Sequence, residues 1–163
     1  MTKFCPILGT LGYVLSKDKT KVLMLHRNSL KDDNHLGKYI GLGGKIHADE
    51  DVYAAMKREI FEESGLKVEA MKLRGTMIWN GFAKNQESWL GFLFLITDYT
   101  NEVTFNCREG KLNWIPLEKL KEIPMWEGDY HFLDLVFDQE EKPFHGNMSY
   151  EGEKMKNFSY TRK

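Results

Sequence analysis

The sequence predicts an α/β domain, and three observations carry that expectation. Short apolar runs bounded by turn residues recur along the chain, a long helical segment carries its carboxylates on one stripe, and a second helical segment bunches its apolar residues late in the chain. Residues 7–15 (Ile-Leu-Gly-Thr-Leu-Gly-Tyr-Val-Leu) predict a buried strand, 16–20 a polar turn and 21–26 a second strand, which together make a hairpin. The stretch 29–35 is polar and aperiodic, so a mobile loop is expected there, and 37–44 is dense in glycine. A helix follows, with Asp49 as its N-cap, Glu50 and Asp51 placing negative charge where the helix dipole favours it, and Gly65 as the stop. Strands are expected over 72–79 and 89–97, joined by a loop at 80–87. A short strand near 112–115, a short helix over 116–123 and a second long helix over 127–137 come next, and the residues from 143 onward predict an edge strand. No repeat or low-complexity linker interrupts the chain, so one domain over 1–163 is expected.

Composition narrows the function classes. Hydrophobic residues make up 42% and aromatics 13% of the 163 residues, enough for a real core. The formal net charge is only -1, which argues against broad electrostatic binding to nucleic acid or to an acidic membrane. An anionic substrate would need local help from a metal or a few placed cations. Cys5 and Cys107 are the two cysteines, far apart and without metal-type spacing, so two reduced thiols are expected. The opening Met-Thr-Lys-Phe-Cys-Pro has no basic stretch followed by an apolar run, and no segment is long and apolar enough for a membrane span. A soluble, cytoplasmic protein is expected.

The chemistry concentrates between Gly43 and Leu66. At about 100° per residue, Arg58, Glu59, Glu62 and Glu63 fall within an arc of roughly 140°, while Tyr53, Met56 and Ile60 cluster on the far side toward a core. Glu59 and Glu63 are like charges one turn apart, which disfavours a helix slightly. A divalent cation between them would remove that conflict, and oxygen-only ligands suit Mg²⁺ or Mn²⁺. Helix chemistry alone does not decide between that cation and a solvated charged face. The glycines ahead of the helix add to the cation reading, because Gly43 and Gly44 permit a backbone carbonyl to turn inward.

Gly44, Glu50, Arg58, Glu59, Ile60, Glu62, Glu63, Gly65 and Leu66 fill every fixed position of G-x5-E-x7-R-E-U-x-E-E-x-G-U, where U is a bulky aliphatic residue. In this the chain resembles the Nudix hydrolases. The resemblance implies an α/β/α sandwich around a mixed β-sheet, with the motif forming a loop–helix–loop. It implies that Glu59, Glu62 and Glu63 bind metal, joined by the Gly43 carbonyl, and that Arg58 orients a glutamate. The implied reaction is in-line water attack on a phosphoanhydride. Which glutamate is the base varies within the family.

Outside the motif the chain is similar to the MutT-like branch that hydrolyses oxidised purine nucleoside triphosphates such as 8-oxo-dGTP, through Gly41-Leu-Gly-Gly-Lys-Ile, Met125-Trp126, Phe144-His-Gly and Tyr150-Glu-Gly. That similarity implies a small-molecule nucleotide substrate. It implies that Glu109, five residues ahead of Trp114, joins the metal site. Trp126 would stack on the purine, Asp129 would hydrogen-bond it, and Thr10, Arg27 and Trp79 would line the pocket. Two positions depart from the branch. Ile40 stands where an asparagine would read the base, and Gly128-Asp129 stands in place of paired aspartates. The alternatives are a Nudix hydrolase of another nucleoside diphosphate derivative and an inactive Nudix binding module, which the intact motif disfavours.

Overall fold

A computed structural model describes residues 3–163; Met1 and Thr2, at the start of the stretch inspected for a targeting signal, lie outside it. The strands are β1 (Ile7–Leu15), β2 (Lys21–Arg27), β3 (Tyr39–Ile40), β4 (Leu42–Lys45), β5 (Lys67–Phe82), β6 (Glu87–Thr100), β7 (Asn106–Cys107), β8 (Gly110–Pro116), β9 (Phe144–Gly152) and β10 (Lys154–Arg162). The helices are α1 (Val52–Ser64) and α2 (Asp129–Phe137), with a 3-10 turn at Leu117–Glu122. The strands form one sheet in the order β10-β9-β5-β6-β1-β2-β8-β7, with β3 joined to β2 and β4 to β1. The sheet is mixed: β1 runs parallel to β6 and β5 parallel to β9, while the other pairs are antiparallel.

Period-two alternation splits the apolar side chains of the central strands between two cores. Tyr13 of β1 and Leu93 of β6 join Met77, Phe132, Phe144 and Met148 under α2. Their chain neighbours Val14 and Phe94 join Leu25, Met56, Ile60 and Ile96 under α1. The helices therefore cover opposite faces, which is the α/β/α sandwich that the resemblance implied. Each fully buried side chain of this size contributes on the order of 1.5–3 kcal/mol.

The expected hairpin of β1 and β2 is present, as are the expected helices and the strand around 112–115. β3, β4 and β7 add strands that were not expected, β6 starts at Glu87 within the expected loop, and three further elements differ in extent or place. β5 starts at Lys67, not 72, and stays paired with β6 through several register shifts, which let a long strand bend around the core. α2 begins at Asp129, two residues late, because Glu127 is drawn to the Met155 N–H at 3.2 Å. The tail supplies two strands: β10 lies at the edge, but β9 is interior, hydrogen-bonded to β5 and β10.

Arg74 of β5 ties down the end of α2. It is buried, and it donates to the carbonyls of Val136 (2.8 Å), Leu135 (3.3 Å), Asp138 (3.1 Å) and Glu140 (2.9 Å) and to the Asp138 carboxylate (2.8 Å). These carbonyls are ones that the helix terminus leaves without intrahelical donors.

Candidate active site

α1 starts and stops on identifiable groups. The Asp51 carboxylate accepts the N–H groups of Tyr53 (2.8 Å) and Ala54 (2.9 Å), so Asp51 is the N-cap and the expectation of Asp49 is corrected. Glu50 lies ahead of the helix, and its carboxylate accepts the His47 N–H at 2.8 Å and two bonds from Arg58. Gly65 ends the helix at φ 76°, a left-handed conformation suited to glycine. Met56 and Ile60 are buried against the sheet as expected, but Tyr53 is 45% exposed and lies edge-on to Phe94.

The outer stripe is organised by Arg58. Its Nε and Nη2 donate to Glu50 at 2.9 and 2.6 Å, its Nη1 to Glu59 at 2.7 Å and to Glu62 at 3.3 Å, and Nη2 also reaches the Lys45 carbonyl at 3.0 Å. This places Glu59 over Gly44, where an added Cβ would come within 2.6 Å of its carboxylate. The motif glycine is thus required by the glutamate above it. Glu63 accepts the Gly43 N–H at 2.9 Å. Burial, then the charges of Glu109 and Glu59, hold its carboxyl well above the ordinary carboxylate range. Glu109, delivered by the turn before β8, is held by Arg27 Nη1 at 2.7 Å, and Arg27 Nε also grips Asp33 at 2.6 Å. Glu62 is the outlying member, its side chain 56% exposed.

Among the described residues, no group of three or more His, Cys, Asp or Glu side chains closes around a point as a complete metal shell. The donor set nevertheless fits a hard divalent cation. Mg²⁺ takes one or two carboxylates and fills the remainder of its shell with water and phosphate. Glu63, crowded by two like charges and short of compensating cations, is the observation that such an ion would relieve.

The residues expected around the base separate. Thr10 shares a strand face with Gly12 and Val14, toward α1, and its hydroxyl is buried without a partner. Thr10 therefore lies on the opposite sheet face from Trp126, which corrects the expectation that both line one pocket. Arg27 is committed to Asp33 and Glu109, so it is a support for the carboxylates. Trp126 is 2% exposed, enclosed by Phe82, Tyr150 and Lys38, with its indole N–H donating to His35 at 2.8 Å. Phe82, Tyr150 and Lys38 cover the ring that the resemblance assigns to stacking, so a base would have to displace one of them. Burial drives the His35 pKa down to about 4, which keeps the ring neutral and able to accept that bond. Asp129 is buried at the start of α2, and burial lifts its carboxyl to about 8. Trp79 is half-buried on the same sheet face, edge-on to Phe132.

The departure at Gly128 has a local cause. A Cβ there would lie 2.0 Å from Met148 and 2.6 Å from the Tyr150 hydroxyl, which accepts the Gly128 N–H at 2.9 Å. A second aspartate would require the Met148 thioether and the Tyr150 hydroxyl to shift. Ile40 packs against both cores. Sequence reasoning missed Tyr13, Leu11, Phe82 and Tyr150 on the α2 face. Tyr13 carried a signal, as the one hydroxyl-bearing aromatic in an otherwise aliphatic strand.

No helix among the described residues is long and apolar enough to cross a membrane. The model of the NUDIX domain matches residues 8–136. The chain is 30% identical to the uncharacterized Nudix hydrolase YvcI of Bacillus subtilis over 116 residues, 70% of this chain and 73% of that protein. It is 28% identical to the oxidized purine nucleoside triphosphate hydrolase of Danio rerio, over 71% of this chain and 72% of the relative. A MutT protein from Bacillus halodurans superposes with a TM-score of 0.80 at 25% identity, covering 94% of this chain and 97% of its own. With the motif helix, its glycine loop and the mixed sheet all in place, the chain belongs to the Nudix family of phosphoanhydride hydrolases, enzymes that generally work with a divalent metal.

Proposed function

We propose that this chain hydrolyses a nucleoside triphosphate to the monophosphate and pyrophosphate with Mg²⁺, which Mn²⁺ can replace. An oxidised purine such as 8-oxo-dGTP is the substrate to test first. The observation that carries the reading is the half-buried Glu63 carboxyl, bonded to the Gly43 N–H and crowded by the charges of Glu109 and Glu59, with Arg58 and Arg27 each gripping one of those neighbours. Glu59, Glu62, Glu63 and Glu109, with the Gly43 carbonyl, would hold the cation. When bound, that ion supplies Lewis-acid polarisation of phosphate and a more acidic water. Arg58 fixes the Glu59 carboxylate, and Gly44 leaves the space it occupies. Asp129 would read the base edge, protonated at neutral pH and so able to donate as well as accept. Trp79 would supply the aromatic wall in place of the enclosed Trp126. The kinship with an oxidized purine nucleoside triphosphate hydrolase supports the substrate class. The free thiols of Cys5 and Cys107 support a cytoplasmic setting, and the seating of β9 in the common sheet supports one domain over 1–163.

The test is a panel of 8-oxo-dGTP, dGTP, dATP and dCTP beside a dinucleotide and a sugar nucleotide, with pyrophosphate or phosphate detection, in Mg²⁺ and in EDTA. Mg²⁺-dependent release of pyrophosphate from a purine triphosphate, ahead of the other compounds, is the expected result. A dinucleotide or sugar nucleotide leading the panel overturns the substrate class, and equal rates in EDTA overturn the metal.

A further inference from the structure

Two polar groups stand without partners in the core beneath α2. The Tyr13 hydroxyl is fully buried, and no hydrogen bond reaches it. The Asp129 carboxyl is 7% exposed, and none of the hydrogen bonds among the described residues reaches it either. Both belong to the same neighbourhood. Tyr13 projects from β1 into the cluster that holds Trp126, Phe132 and Tyr150, and Asp129 opens α2 between Trp126 and Phe132. The charge of Asp129 acts on the phenols of both Tyr13 and Tyr150. Tyr150 is already engaged by the Gly128 N–H, whereas Tyr13 is not.

Packing does not explain the Tyr13 hydroxyl. The ring alone fills the space and meets Phe137 edge-on at 5.8 Å. A phenylalanine would do the same without stranding a polar atom, and buried polar atoms are almost always satisfied. A fully buried hydroxyl without a partner, in the field of a carboxyl that makes no hydrogen bond of its own, is what remains when the group that satisfies them is a ligand.

We propose that the Tyr13 hydroxyl, together with Asp129, reads the edge of the nucleotide base and sets which base is accepted. This inference rests on the nucleotide reading of the site. The phenol can donate and accept, and so can a neutral carboxyl. Such a pair matches a purine edge that places a carbonyl beside a ring N–H: O6 with N1–H in guanine, or O6 with N7–H once C8 is oxidised. The hydroxyl supplies a polar reader that neither Ile40 nor Gly128 can supply. A site built around buried hydrogen bonds rejects bases that leave them unmade.

The test is Tyr13→Phe, read in two ways. The first is the ratio of kcat/KM for 8-oxo-dGTP and dGTP over that for dCTP in Mg²⁺, where the variant should lose about tenfold of the wild-type ratio, the worth of one hydrogen bond. The second is thermal melting in EDTA, alone and with 8-oxo-dGMP, dGMP or dCMP. The unliganded Tm should hold or rise, because an unsatisfied hydroxyl is removed, and the extra stabilisation by the purine monophosphates should shrink. An unchanged selectivity ratio overturns the inference, and so does a lowered Tm with all substrates affected alike, which marks a structural hydroxyl bonded to water. If the wild-type protein cleaves none of the triphosphates, the activity reading has failed separately. The melting shifts then decide: equal purine shifts in wild type and Tyr13→Phe overturn the base-edge assignment.

Discussion

Arg58 grips Glu50 with a two-pronged fork, Nε to one carboxylate oxygen at 2.9 Å and Nη2 to the other at 2.6 Å. The fork fixes the plane of the guanidinium, and so the direction from which its Nη1 meets Glu59. Arg58→Lys keeps the charge but cannot make both prongs. Its kcat is expected to fall roughly tenfold to a hundredfold, a typical cost of misplacing a catalytic group, with circular dichroism unchanged. A lysine variant with wild-type kcat would remove the positioning role. The bonds from Arg58 also pull Glu50 down to about 2. A carboxylate lowered on folding stabilises above its unfolded pKa and loses that contribution as pH falls toward the folded value. Glu50→Gln should therefore flatten the acid limb of the melting profile between about pH 4.5 and pH 2.

The carboxylate group makes opposite demands on stability and activity. Glu63→Gln relieves a part-buried like-charge cluster while keeping the shape, so the metal-free Tm should hold or rise as most activity disappears. Mg²⁺ should raise the wild-type Tm by mass action, and less so in this variant. Glu62→Gln should also abolish most turnover, with little effect on Tm because the side chain is largely in water. Glu109→Gln should lower the rate and weaken the grip of Arg27. A Glu62→Gln or Glu63→Gln enzyme that turns over normally, at limiting and saturating Mg²⁺ alike, would separate these residues from the metal.

Asp129 predicts a pH effect with a definite sign. Its folded pKa near 8 lies above the ordinary aspartate value, so the folded state holds a proton that the unfolded chain has lost. Stability from this group is complete below the unfolded pKa and declines as pH rises toward 8. Burial is what raises the Asp129 carboxyl; the phenols that face it, Tyr13 on β1 and Tyr150 on β9, are themselves pushed up by burial and then by its charge. Asp129→Asn should be relatively more stable than wild type at pH 8 than at pH 5, as followed by urea midpoints. Parallel pH profiles for the two proteins would show that the carboxyl titrates normally.

Arg74→Met removes five hydrogen bonds at the end of α2 and leaves the Asp138 carboxylate to Arg162 and the Glu140 N–H. Asp138 is part-exposed and keeps Arg162, so the main cost is the carbonyls left without donors, on the order of 1–3 kcal/mol. Equilibrium unfolding in urea measures it, and a loss below about 1 kcal/mol, the net worth of a single hydrogen bond, would show that the carbonyls find other donors.

How much of this was legible in the sequence depended on distance along the chain. The arrangement of Arg58, Glu59 and Glu62 is set by helical period over a few residues, and the motif exposed it directly. The cap was misplaced because Asp49, Glu50 and Asp51 are chemically alike, and only Arg58, eight residues beyond Glu50, selects which acid stays outside the helix. The tail was underread because β9 owes its interior place to β5, some seventy residues earlier. The cover over Trp126 is invisible to local sequence, because the residues that form it, Phe82 and Tyr150, come from distant parts of the chain. Thr10 was placed on the wrong side because strand alternation assigns a face only once a neighbouring residue's face is known.

The two cores have a consequence for how damage spreads. Substitutions under α1 and under α2 disturb packing on opposite sides of a shared sheet, so for residues well separated along and across the strands their energetic costs should add. Ile40 is the exception, because among the described residues it alone of the partly buried apolar ones packs against both clusters. Epistasis between the half of the molecule that carries the carboxylate helix and the half that carries Asp129 should therefore run through Ile40, which makes this position the one where a change on one side is felt on the other.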